Sequence, residues 1–268
     1  MVPGGKGANQ AVAAAKLGAH VHFVARLGDD LFGRQSVANF EREGVDTTHV
    51  TSTSGAASGV ALITVDTDGN NVIVVAPGAN HELSAEDVGA AEGDIRMAGA
   101  VVAQLEIPIE TVACAAALAR EAGIPFVLDP APAQELSADL LSKVSVLTPN
   151  ETEARILTGV EVTDETSARA AAARLRAGGV EAVVVTMGAQ GFLLAGGDAM
   201  EFVPAVPVRA VDATAAGDAF TGSLAVGLAQ GQTLRDAARF AARVAALSVT
   251  KMGAQPSMPT RREVDAFN

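Results

Sequence analysis

The chain contains no tryptophan and no tyrosine, and its 268 residues include only nine phenylalanines. Proteins that read single-stranded nucleic acid stack bases on aromatic faces, and this composition can hardly build such a platform. Positive charge is also in short supply: 19 Lys and Arg stand against 31 Asp and Glu, a formal net charge of −12. That balance argues against a nucleic-acid partner held through its phosphate backbone. It does not argue against a mononucleotide, whose phosphates can be held by backbone N–H groups at a helix start. With Cys114 as its one cysteine, the chain can form no internal disulfide, which suits a reducing compartment and leads us to expect a cytoplasmic protein. Cys114 lies in the apolar stretch 111–118 and reads as a small buried hydrophobe rather than a nucleophile. The four histidines, His20, His22, His49 and His81, are scattered, and none has the spacing used by zinc sites. No run of about 18 uninterrupted apolar residues occurs, so no membrane span is expected. The opening MVPGGKGANQ lacks the basic and apolar segments of a signal peptide.

What is present is apolar residue in quantity, 49% against 19% charged, enough for a sizeable core. We expect a single domain over residues 1–268, since no linker, repeat or low-complexity tract interrupts it. The periodicity predicts helices over 8–17, 30–43, 108–121, 150–157, 165–177, 217–228 and 234–250, the second capped by Asp29 or Asp30. Short apolar runs predict strands at 21–25, 60–65, 72–76, 98–103, 125–128, 144–147, 182–186, 192–195 and 200–203. The pair 60–65 and 72–76 has no helix between its members, and Asp68-Gly69-Asn70 is a hairpin turn signal. Residues 47–76 therefore read as a small β-rich appendage. From about residue 84 strands and helices alternate, which implies crossovers and a doubly wound α/β sheet.

Four segments carry candidate chemistry. In Val211-Asp212-Ala213-Thr214-Ala215-Ala216-Gly217-Asp218, small residues run into a helix. The N–H groups of Ala215, Ala216 and Gly217 would face whatever sits before it, forming an anion hole, and Asp218 is a candidate general base for a hydroxyl nucleophile. An acid that merely complements the helix dipole is the plainer alternative. Pro3-Gly4-Gly5-Lys6-Gly7-Ala8-Asn9-Gln10 is a second small-residue loop entering a helix. It is not a Walker A loop, and Lys6 and Asn9 could bind the hydroxyls of a polyol, although a glycine-rich connection reads equally well. In Thr148-Pro149-Asn150-Glu151-Thr152-Glu153, Asn150 and Glu153 share a helical face and could steer a hydrated Mg²⁺; Asn-x-x-Glu is also a helix capping box. The fourth segment, Thr186, Met187, Gly188, Ala189, Gln190 and Gly191, lies between two strands and reads as a tight turn. Most of these segments follow predicted strands, where open α/β sheets hold their ligands. Together they point to phosphoryl transfer onto a small hydroxylated molecule.

The stretches GGKGANQAVAAAKLGA (4–19), AQLEIP (103–108), DPAPA (129–133), TPNETEA (148–154), TMGAQG (186–191), VDATAAGDAF (211–220) and KMGAQPSMP (251–259) resemble, in order and spacing, the ribokinase branch of the PfkB-type carbohydrate kinases. The resemblance covers the whole chain. It implies a ribokinase-like three-layer α/β/α sandwich with a mostly parallel central sheet, a small β-strand lid and a homodimer. The implied activity is transfer of the γ-phosphate of ATP to the primary hydroxyl of ribose, with deoxyribose or another sugar as the alternative substrate. Asp218 is then the base and Ala215, Ala216 and Gly217 the anion hole. Gly5, Lys6, Gly7, Ala8, Asn9 and Glu106 fall at the sugar-binding positions. Asn150 and Glu153 fall at positions that organise Mg²⁺ and phosphate, and 186–191 at a nucleotide-binding turn. The resemblance also implies activation by K⁺, with Asp212, Thr214, Ser248, Lys251, Gly253 and Ser257 at the matching positions, several through backbone carbonyls. Ala213 and Ala219 stand where threonines are common in the family. The family's usual first strand and part of its lid precede the GGKGAN loop, at which this chain starts. The expectation is an N-terminally shortened chain with an unpaired sheet edge. For such a chain, an inactive sugar- or nucleotide-binding protein is the reading of another class.

Overall fold

The computed structural model describes residues 3–65 and 71–267. Residues 126–128 show why the chain forms layers. Phe126 and Leu128 pack to one side and Val127 to the other, all fully buried. A strand buried on both faces needs a helical layer over each.

In chain order, the first part comprises α1 (Lys6–Lys16), β1 (Val21–His22), β2 (Ala25–Gly28), α2 (Leu31–Arg42), β3 (Val45–Asp46), β4 (Val50–Thr53), β5 (Val60–Val65), β6 (Asn71–Ala76), α3 (Ala85–Ala90) and α4 (Glu92–Met97). The second part comprises β7 (Val101–Ala103), α5 (Ile109–Ala122), β8 (Phe126–Leu128), α6 (Ala138–Leu141), β9 (Val146–Leu147), α7 (Glu151–Thr158), α8 (Glu165–Ala177), β10 (Ala182–Thr186), β11 (Gly191–Gly196) and β12 (Ala199–Pro204). Helices α9 (Ala216–Ala229), α10 (Leu234–Ser248) and α11 (Arg261–Ala266) complete the chain. The central sheet has the order β12-β11-β10-β9-β8-β7. Strands β7 to β10 run parallel, and β11 and β12 add an antiparallel hairpin. Val112, Ala116 and Ala119 of α5 and Ala168 and Ala172 of α8 cover one face. Leu224 of α9 and Ala238 and Ala241 of α10 cover the other. The result is the three-layer α/β/α sandwich with a mostly parallel sheet that the sequence led us to expect. Among the described residues, no helix is long and apolar enough to cross a membrane.

A second core joins the first part to the C-terminal helices. Val12 of α1, Phe40 of α2, Val45 of β3, Ala219 of α9 and Val264 of α11 meet in it. Helix α1 lies so close to α9 that a Cβ on Gly222 would stand 2.6 Å from the carbonyl oxygen of Gln10. This crossing brings the start of α1 to the start of α9.

Several boundaries differ from the sequence reading. Helix α1 begins at Lys6, two residues early, because Gly5 takes φ 93° as its N-cap. The single strand expected at 21–25 is two strands: β1 pairs in parallel with β3, and β2 with β4. Between them the side chains leave for different cores. Phe23 meets Phe40 edge-on at 5.2 Å, and Val24 packs on Val88, Ala91 and Ile95. β7 starts at Val101 because Ala98 caps α4 and Gly99 lies against Ala229 of α9, where a Cβ would come within 2.7 Å. Strands β5 and β6 pair antiparallel with Leu62 opposite Val74; the turn expected at 68–70 lies outside the described residues. At the root of this hairpin Asp30, the N-cap of α2, accepts hydrogen bonds from Ser58 N–H (2.8 Å), Ser58 Oγ (2.7 Å) and Gly33 N–H (2.8 Å).

Candidate active site

The loops leaving β7, β8 and β9 gather at the carboxyl ends of the parallel strands and meet the first turns of α1 and α9, and the loop leaving β10 lies beside that of β9. Ala215 caps α9 with φ 60° and ψ 19°, the one described non-glycine residue with positive φ. A side chain there costs backbone energy, and the kink turns the helix start toward the crevice. The Ala216 N–H donates to the Ala213 carbonyl at 3.2 Å, while no backbone acceptor takes the N–H of Ala215 or Gly217. Two of the three expected anion-hole donors are therefore available, at the positive end of the α9 dipole. Nothing lies within 4 Å of where a Cβ on Gly217 would be, so an anion has room.

Asp218, in the first turn of α9, is only 5% exposed. Its Oδ2 accepts from Asn9 Nδ2 at 2.7 Å and its Oδ1 from Gln10 Nε2 at 3.2 Å. Burial pushes its pKa up; nearby Lys6 and the two amides oppose the shift without cancelling it. A carboxylate so raised is a better proton acceptor than an exposed one. The Lys6 ammonium is depressed by burial but raised overall by Asp129, Asp218, Glu153 and Glu106. Its backbone N–H donates to Glu106 Oε2 at 2.9 Å, so Glu106 holds the start of α1. Gly7 lies beneath Gln104, whose Oε1 would be 2.8 Å from a Cβ there. Ala8 turns its methyl into the core and offers the crevice only backbone.

Asp129, just past β8 in the DPAPA stretch, is a site residue to which the sequence assigns no role. It is 5% exposed. Burial pushes its carboxyl up to about 7, with Lys6 pulling down and Asp218 and Glu153 pushing further. Gln10 Nε2 donates to its Oδ2 at 2.7 Å. The available signal was an acid directly after an apolar strand, with nothing in the spacing to tie it to Asp218.

Asn150 and Glu153 form the reciprocal capping box at the start of α7: Asn150 N–H donates to Glu153 Oε2 and Glu153 N–H to Asn150 Oδ1, both at 2.9 Å. The capping alternative is thus realised. It uses one oxygen of Glu153, whose pKa is raised by burial against the pull of the Asn150 N–H and Lys6. Asn150 also bridges Thr186, whose N–H donates to the Pro149 carbonyl at 2.9 Å, so the turn at 186–191 sits beside the capping box. That turn is a 3₁₀ segment, Gly188–Gln190. The Met187 side chain is buried in the core, while Gly188, Ala189 and Gln190 are exposed and Gly191, at φ 122°, folds against Val203. Apart from the Gln190 side chain, whose Nε2 donates to the Thr163 carbonyl at 3.3 Å, this turn offers mainly backbone.

The loop before α9 is tied to the chain after α10. Asp212 Oδ1 accepts from Thr214 N–H at 2.9 Å and Oδ2 from Gly253 N–H at 2.8 Å. Val211 and Asp212 N–H both donate to the Val249 carbonyl. Ser248 and Ser257 are buried, with hydroxyls donating to the carbonyls of Ala245 and Ala254. Lys251 Nζ is engaged by Glu263 at 2.6 Å, leaving its backbone carbonyl as the group it could offer an ion. The donor set is oxygen throughout, with one carboxylate, and fits a large monovalent cation.

A family model described as pfkB family carbohydrate kinase matches residues 1–261. The chain belongs to that family. Ribokinase of Haemophilus influenzae is 46% identical over 264 residues, which span 98% of this chain and 86% of that protein. Deoxyribokinase of Salmonella typhi is 42% identical, spanning 99% of this chain and 86% of its own length. Among solved structures, Arabidopsis thaliana ribokinase complexed with ribose and ATP superposes with a TM-score of 0.92 at 34% identity, covering 99% of this chain and 87% of that one. The carbohydrate-kinase fold and family expected from the motifs are thus shown.

Proposed function

We propose that the chain transfers the γ-phosphoryl group of ATP to the 5-hydroxyl of D-ribose, giving ribose 5-phosphate and ADP. The observation that carries this reading is Asp218: a buried carboxylate with a raised pKa, held by two amides at a helix start whose Ala215 and Gly217 N–H groups are unengaged. Asp218 accepts the proton of the sugar hydroxyl while that oxygen attacks the γ-phosphorus. The bond to the β–γ bridging oxygen breaks, and its electron pair leaves with ADP. The charge that spreads over the transferring group faces the N–H groups of Ala215 and Gly217, Ala216 adding its own if it releases Ala213. Lys6, ringed by carboxylates, adds a positive charge on the same side. Gly5, Lys6, Gly7, Ala8, Asn9 and Glu106 form the sugar-facing loop. Gly188 and Ala189 offer backbone to the nucleotide.

Mg²⁺ would shield the phosphates, steered through water by Asn150 and the oxygen of Glu153 that the capping box leaves unused. K⁺ at Asp212, Thr214, Ser248, Lys251, Gly253 and Ser257 would brace the loop leading into Ala215. Cytoplasmic location and a homodimer formed through the β5–β6 hairpin complete the proposal. Deoxyribose is the second candidate sugar, supported by the 42% identity to the Salmonella typhi enzyme named for it.

The test is ADP release with MgATP and KCl on ribose, deoxyribose, fructose and adenosine, repeated with NaCl. Ribose should turn over best, and Na⁺ should give a lower rate. Asp218→Asn should lower kcat by about 10³-fold with the KM for ATP nearly unchanged. Turnover of no sugar by a folded chain that still binds ATP would replace this reading with an inactive binding protein.

A further inference from the structure

Gln10 is 3% exposed and every polar atom of its side-chain amide is engaged. Its Nε2 donates to Asp129 Oδ2 at 2.7 Å and to Asp218 Oδ1 at 3.2 Å, and its Oε1 accepts from Gln104 Nε2 at 2.6 Å. An amide NH₂ has two hydrogens, and here both are directed at carboxylates. With Asp218 ionised, flipping the amide would aim its oxygen at that carboxylate, so the direction of the bridge shown here is the favoured one. The four side chains come from four places: α1, the loops after β7 and β8, and α9. The backbone of Gln10 is pressed against Gly222, one helical turn beyond Asp218 on α9. Asn9, next in the chain, takes the other oxygen of Asp218 at 2.7 Å.

We propose that Gln10, aligned by Asp129 and Gln104, is the positioning residue that sets the plane of the Asp218 carboxylate for proton removal from the sugar hydroxyl. This rests on the reading of Asp218 as the base. With one amide on each oxygen, the carboxylate cannot rotate about its Cβ–Cγ bond without breaking both contacts. It is also kept from swinging toward the Lys6 ammonium, where it would form an ion pair and lose its use as a base. Asp129 anchors the far side of the bridge, so that the single amide of Gln10 is held from two directions. None of the three residues need touch substrate, and their effect should fall on kcat rather than on binding.

The test uses the full chain in the ribose assay. Gln10→Met keeps the length and packing of the side chain and removes the bridge. It should lower kcat by about tenfold to a hundredfold, with the KM values for ribose and ATP within about threefold of the parent and an unfolding midpoint close to it. Asp129→Ala removes the anchor and should lower kcat in the same way, whereas Asp129→Asn, which keeps an acceptor oxygen for Gln10, should retain about tenfold more kcat than Asp129→Ala. Gln10→Met at parental kcat, or equal kcat for the alanine and asparagine variants, would overturn the proposal. Should Gln10→Met fail to fold, the Asp129 pair alone decides. If Asp218→Asn itself keeps turnover, the base has been misassigned; if Asp218→Asn is inactive while the Gln10 and Asp129 variants are unaffected, only the positioning role falls.

Discussion

Asp129 retains a proton over a pH range in which an exposed aspartate has already lost it. Its carboxyl is held near 7 in the fold, chiefly by burial, against an ordinary value of 3.8. Between those two pH values the folded chain binds more protons at this site than the unfolded chain does. Its contribution to stability is therefore complete below about 3.8 and is lost as pH rises, with no further loss above about 7. The size is on the order of a few kcal/mol. Asp129→Asn removes the charge, so the variant should gain in melting temperature over the parent at pH 8 and gain clearly less at pH 5, where only the first part of the loss has set in. Thermal unfolding followed by circular dichroism at the two pH values measures this, and an equal shift at both would count against it. At this scale the sequence was half legible. Asp218 and Asn9 sit in stretches whose composition, small residues before a helix, advertises a ligand. Gln10 closes one of those stretches, but Gln104 and Asp129 sit in no such pattern, and the four side chains meet across separations of 94, 119 and 208 residues, which no local spacing encodes.

Helices α8 and α10 could be read from their apolar period, α9 from its long run of small and apolar residues, and β10 from its run of buried valines, because each carries its own signal. Strands β3 and β4 could not. They are two and four residues long, include Asp46, Thr51, Ser52 and Thr53, and exist because β1 and β2 offer them parallel edges. The α1–α9 crossing is another feature set by tertiary approach, and its mark in the sequence is only a glycine in mid-helix. Gly222→Ala would place a methyl 2.6 Å from the Gln10 carbonyl oxygen and 3.3 Å from the Ala13 methyl. Both neighbours are helix backbone or attached directly to it, so the helices must separate. We expect a loss of about 1–3 kcal/mol in stability, together with a fall in kcat, because Asn9 and Gln10 move with α1 while Asp218 stays on α9. Chemical denaturation and the ribose assay measure the two effects. A variant as stable and as active as the parent would show that the crossing does not position the site.

Across the whole molecule, apolar surface is distributed unevenly. The six-stranded sheet ends at β7, and the pairs β1–β3, β2–β4 and β5–β6 stand as separate two-stranded units. A two-stranded unit is marginal unless something covers a face of it. β1–β3 rests on the core around Phe40 and Val45, and β2 is tied to α3 by the paired Arg26–Asp87 contacts at 2.9 Å. The β5–β6 hairpin differs. Leu62 is 69% exposed, Val74 opposite it 61% and Val75 56%. Leu62 and Val74 share one face and together present an apolar patch, of the kind that marks an interaction surface. A second copy presenting the same patch can satisfy it through a two-fold axis, in which each hairpin covers the other. With a net charge of −12 per chain, long-range repulsion disfavours such a pairing, so it should tighten as salt screens the charges. Sedimentation velocity at low and moderate salt is the measurement. The parent should sediment as a dimer, more completely at the higher salt, and Leu62→Glu combined with Val74→Glu should sediment as a monomer with an unchanged circular dichroism spectrum. A parent that is monomeric at both salt concentrations removes the homodimer from the proposal. A double variant that stays dimeric moves the interface away from the hairpin.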